Sequence, residues 1–187
     1  MQNINLLANI DNTVKDNIIG RIGGNIPENF NEKLTEIEGL NFYATFQHPE
    51  KMDYISIFVP KSYDELLEKN MYPDCGIKVF VHPCADESNN EDYTIDYIKK
   101  TNISGYKESG GNDYGFITKA SQAKLIQDED YYYLNLKRDG FVFLLQLDED
   151  FYPEDLLDGD YIFGYGALYL YQSTNDDSVI AGFWQSS

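Results

Sequence analysis

Little in this chain is basic, and little of it is suited to metal or redox chemistry. Fourteen Lys and Arg face 32 Asp and Glu, and only two His, two Cys and one Trp occur among 187 residues. The resulting formal charge of −18 repels phosphate backbones and anionic lipid surfaces, which argues against direct nucleic-acid binding and against membrane attachment. No stretch approaches the roughly 18 consecutive apolar residues that a spanning helix needs. No basic segment, apolar run and small-residue cleavage site open the chain, so the expected location is the cytoplasm. The two cysteines, Cys75 and Cys84, form no repeated CxxC pattern and read as reduced thiols, with a bond closing their short loop left open.

What the chain has in abundance is aromatic surface. Sixteen Tyr and eleven Phe favour pleated, half-buried positions and point to a sheet-rich fold. The length fits a single domain over residues 1–187, able to bury about two-thirds of its extended surface. The acidity favours solubility and the steering of a basic protein partner.

Along the chain, Leu6, Leu7, Ile10, Val14 and Ile18 recur at helical spacing, which predicts an amphipathic helix ended by Gly20. Gly23-Gly24-Asn25-Ile26-Pro27 marks a shaped connection, and a second helix is expected over 28–37, ended by Gly39. Strands are expected over 42–47, 54–59 and 77–81. Between the last two, Ser62 and Glu65 are spaced as a capping box for a helix over 63–69. Residues 86–92 read as a solvated loop, and 93–99 leave strand and helix both open. The four glycines of 105–115 mark the best internal boundary. Further strands are expected over 131–136, 141–147, 167–171 and 179–184, with 141–147 apolar enough to lie centrally under cover on both faces.

Two stretches share an order of features. Phe46-Gln47 precedes a strand opened by Gly76, and Leu145-Gln146 precedes one opened by Gly166. The pattern suggests an internal duplication with pseudo-repeats 20–100 and 105–187, in an α+β fold of mostly antiparallel sheets with short helices.

These residues also carry a likeness. Gly23-Gly24-Asn25-Ile26-Pro27, Phe46-Gln47, Gly76-Ile77-Lys78-Val79-Phe80, Gly105-Tyr106, Leu144-Leu145-Gln146-Leu147-Asp148 and 164–171 resemble the ordered landmarks of the YwqG-like family, mostly bacterial proteins of unknown function. The resemblance spans about residues 20 to 172 and implies a duplicated α+β fold without an assigned role. The chain departs from the family at Tyr72-Pro73 and Phe163-Gly164, where the landmarks usually carry tryptophan; its own tryptophan is Trp184.

For chemistry, Gln47 and Gln146 stand out as strand-end amides able to tie down a loop or face a ligand. The carboxylates Asp148, Asp150 and Asp155, with Glu149, Glu154, Asp158 and Asp160 around them, invite a calcium reading, but Tyr152 and Pro153 stand where an EF-hand needs a ligand and a glycine. His48, Cys75, His82 and Cys84 are the corresponding weak set for zinc. No serine nucleophile elbow and no phosphate-binding lysine pattern is present, and no catalytic residue or cofactor is expected. The leading expectation is a noncatalytic binding or interaction protein, of immunity type in one version. The alternative is a small-molecule-binding protein or hydrolase with its site between the two halves.

Overall fold

The computed structural model describes residues 3–13 and 15–187. The chain runs through β1 (Ile4–Ala8), β2 (Ile18–Ile22), β3 (Leu40–Gln47), β4 (Tyr54–Pro60), the helix α1 (Tyr63–Glu68) and β5 (Lys78–His82). It continues through β6 (Thr101–Ser104), β7 (Lys107–Gly110), β8 (Ile117–Lys119), the helix α2 (Leu134–Arg138), β9 (Phe141–Asp148), β10 (Ala167–Ser173) and β11 (Val179–Gln185). Every strand pairing is antiparallel. The strands form a five-stranded sheet, β5-β4-β3-β2-β6, and a six-stranded sheet, β11-β10-β9-β8-β1-β7. With so few and such short helices, the fold is α+β dominated by antiparallel sheets.

Strand alternation explains the layers. Ile55, Ile57 and Phe46 of one sheet share an apolar cluster with Leu145, Leu147, Leu168 and Leu170 of the other, so the two inner faces meet as in a sandwich. Residues of opposite parity point outward and need separate cover. On the five-stranded sheet, Ile26, Phe30 and Ile37 lie over Phe42 and Phe58. On the six-stranded sheet, Tyr132 and Leu136 lie over Ala167, Tyr169, Tyr171 and Phe183. Thus β9 and β10 are covered on both faces, as the apolar run 141–147 predicts, although Val142 at its start is exposed.

Several expectations are corrected. The segment read as a first helix forms β1 and β2, and its Val14 lies outside the described residues. Helical spacing misleads there because Asn5 takes a buried position on the same strand face as Leu7, donating to the carbonyls of Gly111 and Asp113 at 3.2 and 2.9 Å, which breaks the apolar alternation of a strand. Residues 28–37 make two short 3-10 turns, Glu28–Phe30 and Leu34–Glu36. Residues 131–136, read as a strand, instead close a 3-10 turn at Asp130–Tyr132 and enter α2. The undecided stretch 93–99 is a run of turns, pinned where Ile98 bridges Leu157. The glycine-rich 105–115 contains β7 and carries the chain from one sheet to the other.

The two halves are interlaced. β2 to β5 form one meander and β8 to β11 another, and the strands bearing Gln47 and Gln146 are second in each. The glycine-led strands are not matched: the strand after Gly76 is the sheet edge β5, whereas the strand after Gly166 is the interior β10. β1, from the start of the chain, lies in the second sheet between β8 and β7. The outer edge of β11 is closed by the first half, where Tyr72 N donates to Gly182 O at 2.7 Å and Trp184 N to Asn70 O at 3.0 Å.

Candidate binding cleft

At the end of the sandwich where β4 runs into α1, the connection between β9 and β10 folds against the turns of 95–99. Asp158 N donates to Tyr97 O and Lys99 N to Leu156 O, at 2.9 and 2.8 Å. Gly159 lets the Tyr97 ring lie against this backbone, since a Cβ there would sit 3.2 Å from the ring. Between these walls and the β4–α1 corner opens a cleft of about 650 Å³, whose lining includes Tyr63, Tyr97, Asp158, Asp160, Tyr161 and Tyr165. Tyr63, Tyr97 and Tyr165 are 55, 41 and 56% exposed, so their rings are available to an occupant.

The far wall is held by Glu149. This residue begins the 3-10 turn Glu149–Phe151 directly after β9, which carries its side chain inward. Its carboxylate accepts from Phe163 N at 3.0 Å through both oxygens and from Gly166 N at 3.2 Å. The turn so gripped has two successive residues in the left-handed region, Gly164 at φ 60° and Tyr165 at φ 59°. For a tyrosine that conformation is uncommon and persists only where the surroundings enforce it. Phe163 supplies the anchor on the core side, edge-on to Tyr43 with centroids 5.5 Å apart. The turn thereby presents Tyr161 and Tyr165 stacked at 3.9 Å, and Tyr161 stacks in turn on Tyr152 at 5.7 Å.

A β-bulge completes the support. The β3–β4 register skips Tyr43, turning its side chain into the sandwich, where its hydroxyl hydrogen-bonds the Tyr152 hydroxyl. Burial pushes both phenols well above the usual range, so they remain protonated. Burial also pushes the Glu149 carboxyl up, to about 7, against the opposing pull of the N–H groups of Phe163, Gly166, Ile162 and Tyr165.

The electrostatics of the cleft are one-sided. Asp158 and Asp160 are exposed and make no side-chain hydrogen bond or ion pair among the described residues. The cation on the lining, Lys61, is turned to Tyr93, with Nζ 5.4 Å from the ring centroid. Burial raises the Tyr97 phenol, and the charges of Asp160 and Glu149 raise it further. Accessible aromatic faces beside unpaired carboxylates suit a cationic group and provide no nucleophile–base pair.

The residues singled out from sequence lie elsewhere. Gln47 holds its own hairpin, donating to Lys51 O at 3.4 Å. Gln146, fully buried, accepts from Lys124 N at 2.9 Å and so fastens the strap that crosses the outer face of the six-stranded sheet; its Nε2 has no partner. The two glutamines sit in different sheets and share no cavity lining among those described. Asp148 caps its own turn by accepting from Asp150 N at 3.1 Å, and Asp155 pairs with Lys99 at 3.2 Å. His48 accepts from Glu50 N through Nδ1 at 3.1 Å, Cys75 is buried and Cys84 is exposed. Among the described residues no three His, Cys, Asp or Glu are grouped to share a metal ion.

One arrangement has the outline of a nucleophile and base. His82 Nε2 lies 2.7 Å from Ser56 Oγ, and His82 Nδ1 lies 2.7 Å from Pro83 O. The carbonyl fixes the proton on Nδ1, so Nε2 accepts from the Ser56 hydroxyl. Burial lowers the imidazole pKa and keeps it neutral. Ser56 is fully buried, the ring of Phe30 stands edge-on over His82 at 5.3 Å, and neither residue lines a described cavity. This is a satisfied polar ladder under the sheet's outer cover.

Sequence reading passed over Tyr97, Tyr161 and Tyr165 as site residues, and treated Glu149, Asp158 and Asp160 only as part of an acidic run. Tyrosines recurring at 152, 161 and 165 beside Gly164 were the available signal. Compared with known protein families and with curated proteins, the chain matches none. No helix among the described residues is long and apolar enough to cross a membrane.

Proposed function

We propose that this chain is a noncatalytic binding protein whose partner is a basic protein, and that the cleft between the β4–α1 corner and the 149–166 connection is the contact centre. The observation that carries this reading is the pairing of accessible tyrosine rings with two unneutralised carboxylates, Asp158 and Asp160. A formal charge of −18 adds long-range attraction for a cationic partner and speeds encounter. An immunity-type role, neutralising a toxin that acts on nucleic acid, is the concrete biological version, and it places the protein in the cytoplasm. The test is capture of basic proteins by the immobilised chain at rising ionic strength. The expected association rate falls steeply between 50 mM and 500 mM salt; a rate independent of salt defeats the electrostatic reading.

A second reading rests on the cleft's volume of about 650 Å³, which suits a small molecule. Glu149, with its carboxyl raised to about 7, stands behind the wall and bears on such a small-molecule or hydrolytic site through the Phe163–Gly166 turn that it holds. A thermal-shift screen of small cations and neutral metabolites separates this reading from capture of a protein. Diverged membership of the YwqG-like family, with β2–β5 and β8–β11 as the two repeats, is supported by the landmark order and by the matched rank of the Gln47 and Gln146 strands. An alignment of close homologues, in which the two meanders align with one another, is the test of that lineage.

A further inference from the structure

We infer that the occupant of the cleft is an arginine side chain of the partner polypeptide, its guanidinium stacked on the tyrosine wall and hydrogen-bonded to Asp158 or Asp160. The inference rests on the binding reading above and narrows it from a basic surface to one side chain. Three observations carry it. The exposed rings of Tyr97 and Tyr165 offer faces, and a planar guanidinium stacks on an aromatic face in a way that a compact, strongly hydrated ammonium does not. Tyr165 is held in the left-handed region by a turn that Glu149 grips from behind, and its ring stacks on Tyr161 at 3.9 Å, so the wall stands before any partner arrives and less ordering is required on binding. Asp158 and Asp160 are unpaired, and the fork of N–H donors on arginine suits a carboxylate. Lys61, the cation on the lining, is occupied at Tyr93 and does not neutralise them.

The experiment is a fluorescence-anisotropy titration of the full chain with labelled, capped hexa-arginine and hexa-lysine at 150 mM salt. Wild type is expected to bind hexa-arginine about tenfold tighter than hexa-lysine. Tyr165→Ala and the double variant Asp158→Asn/Asp160→Asn are each expected to lose about tenfold in hexa-arginine affinity and to erase the preference. Tyr165→Phe, which keeps the ring, retains it. A control with the same charge change away from the cleft, Glu108→Gln/Asp128→Asn, weakens both peptides equally and leaves the preference intact. Circular dichroism and a melting temperature within a few degrees of wild type establish that each variant is folded. Equal binding of the two peptides, with affinity following net charge alone, overturns the arginine inference and leaves the broader binding reading standing. Absence of binding to either peptide even at 20 mM salt overturns both. If N-acetyl-arginine amide alone binds as tightly as the hexapeptide, the occupant is a small guanidinium compound and the polypeptide source is wrong.

Discussion

At Glu149, burial and hydrogen bonding oppose one another, and the sign of the result is measurable. The folded carboxyl is raised to about 7, above an ordinary value of 4.5, so between these two values the folded state keeps a proton that the unfolded state has released. This residue's contribution to stability is therefore present below about pH 4.5 and is lost as pH rises through about 7. His48 and His82, lowered by burial, slope the other way, so the whole-protein profile mixes both. Comparison with Glu149→Gln isolates the carboxyl. From pH 5 to pH 8 the stability of wild type relative to the variant is expected to fall by about 2 kcal/mol in denaturant titrations, whereas an unchanged difference means the group does not titrate there. Two glycines of the same turn make a second contrast. A Cβ on Gly166 would lie 1.9 Å from Gln185 O and 2.4 Å from Phe163 O, both backbone and immovable, so Gly166→Ala is expected to destabilise by about 3 kcal/mol or more. Gly164→Ala meets only Ser186 Cβ at 3.6 Å and is expected to lose about 1 kcal/mol, from its left-handed backbone alone. A calorimetric melt of both variants checks the order.

Among the elements, the short helix α1 shows how much local signal can carry. Ser62 Oγ accepts from Glu65 N at 3.3 Å, as its spacing predicts, while the Glu65 carboxylate turns to Lys69 at 2.7 Å and leaves the reciprocal half of the capping box unmade. Ser62→Ala is expected to cost about 1 kcal/mol in a chemical-denaturation midpoint. Strands with strong periodicity, β3, β4, β9, β10 and β11, were legible for the same reason: their chemistry is local. β1 was not, because Asn5 is satisfied by carbonyls more than a hundred residues away. Neither were the aromatics of 131–136, whose alternation is real but whose burial is against the outer face of β10 and β11 rather than within a ladder. The cleft was the least legible feature. Its tyrosines and aspartates come from separate turns, and their meeting depends on Glu149 reaching across to Phe163 and Gly166. Gln47 and Gln146 stand apart from the cleft: Gln47 donates within its own hairpin, and Gln146 accepts from a strap that precedes its own strand.

Over the whole molecule, protection should follow the layers. Hydrogen exchange is expected to be slowest in β3, β4, β9 and β10, interior strands with inner and outer cover, and fastest in β7, a short exposed edge strand. Comparable exchange in β7 and β9 would contradict the strand order.

The placement of β1 also has a consequence for how the chain is made. β1 leaves the ribosome before its partners β7 and β8, which follow roughly a hundred residues later, a wait of about 5 to 20 s at common elongation rates. Through that interval the nascent chain presents both edges of β1 unpaired, and Leu7 and Ala8 lack the sheet that later buries them. Chains interrupted before β8 are therefore natural clients of chaperones and proteases, and separately produced halves should regain solubility only when they are expressed together.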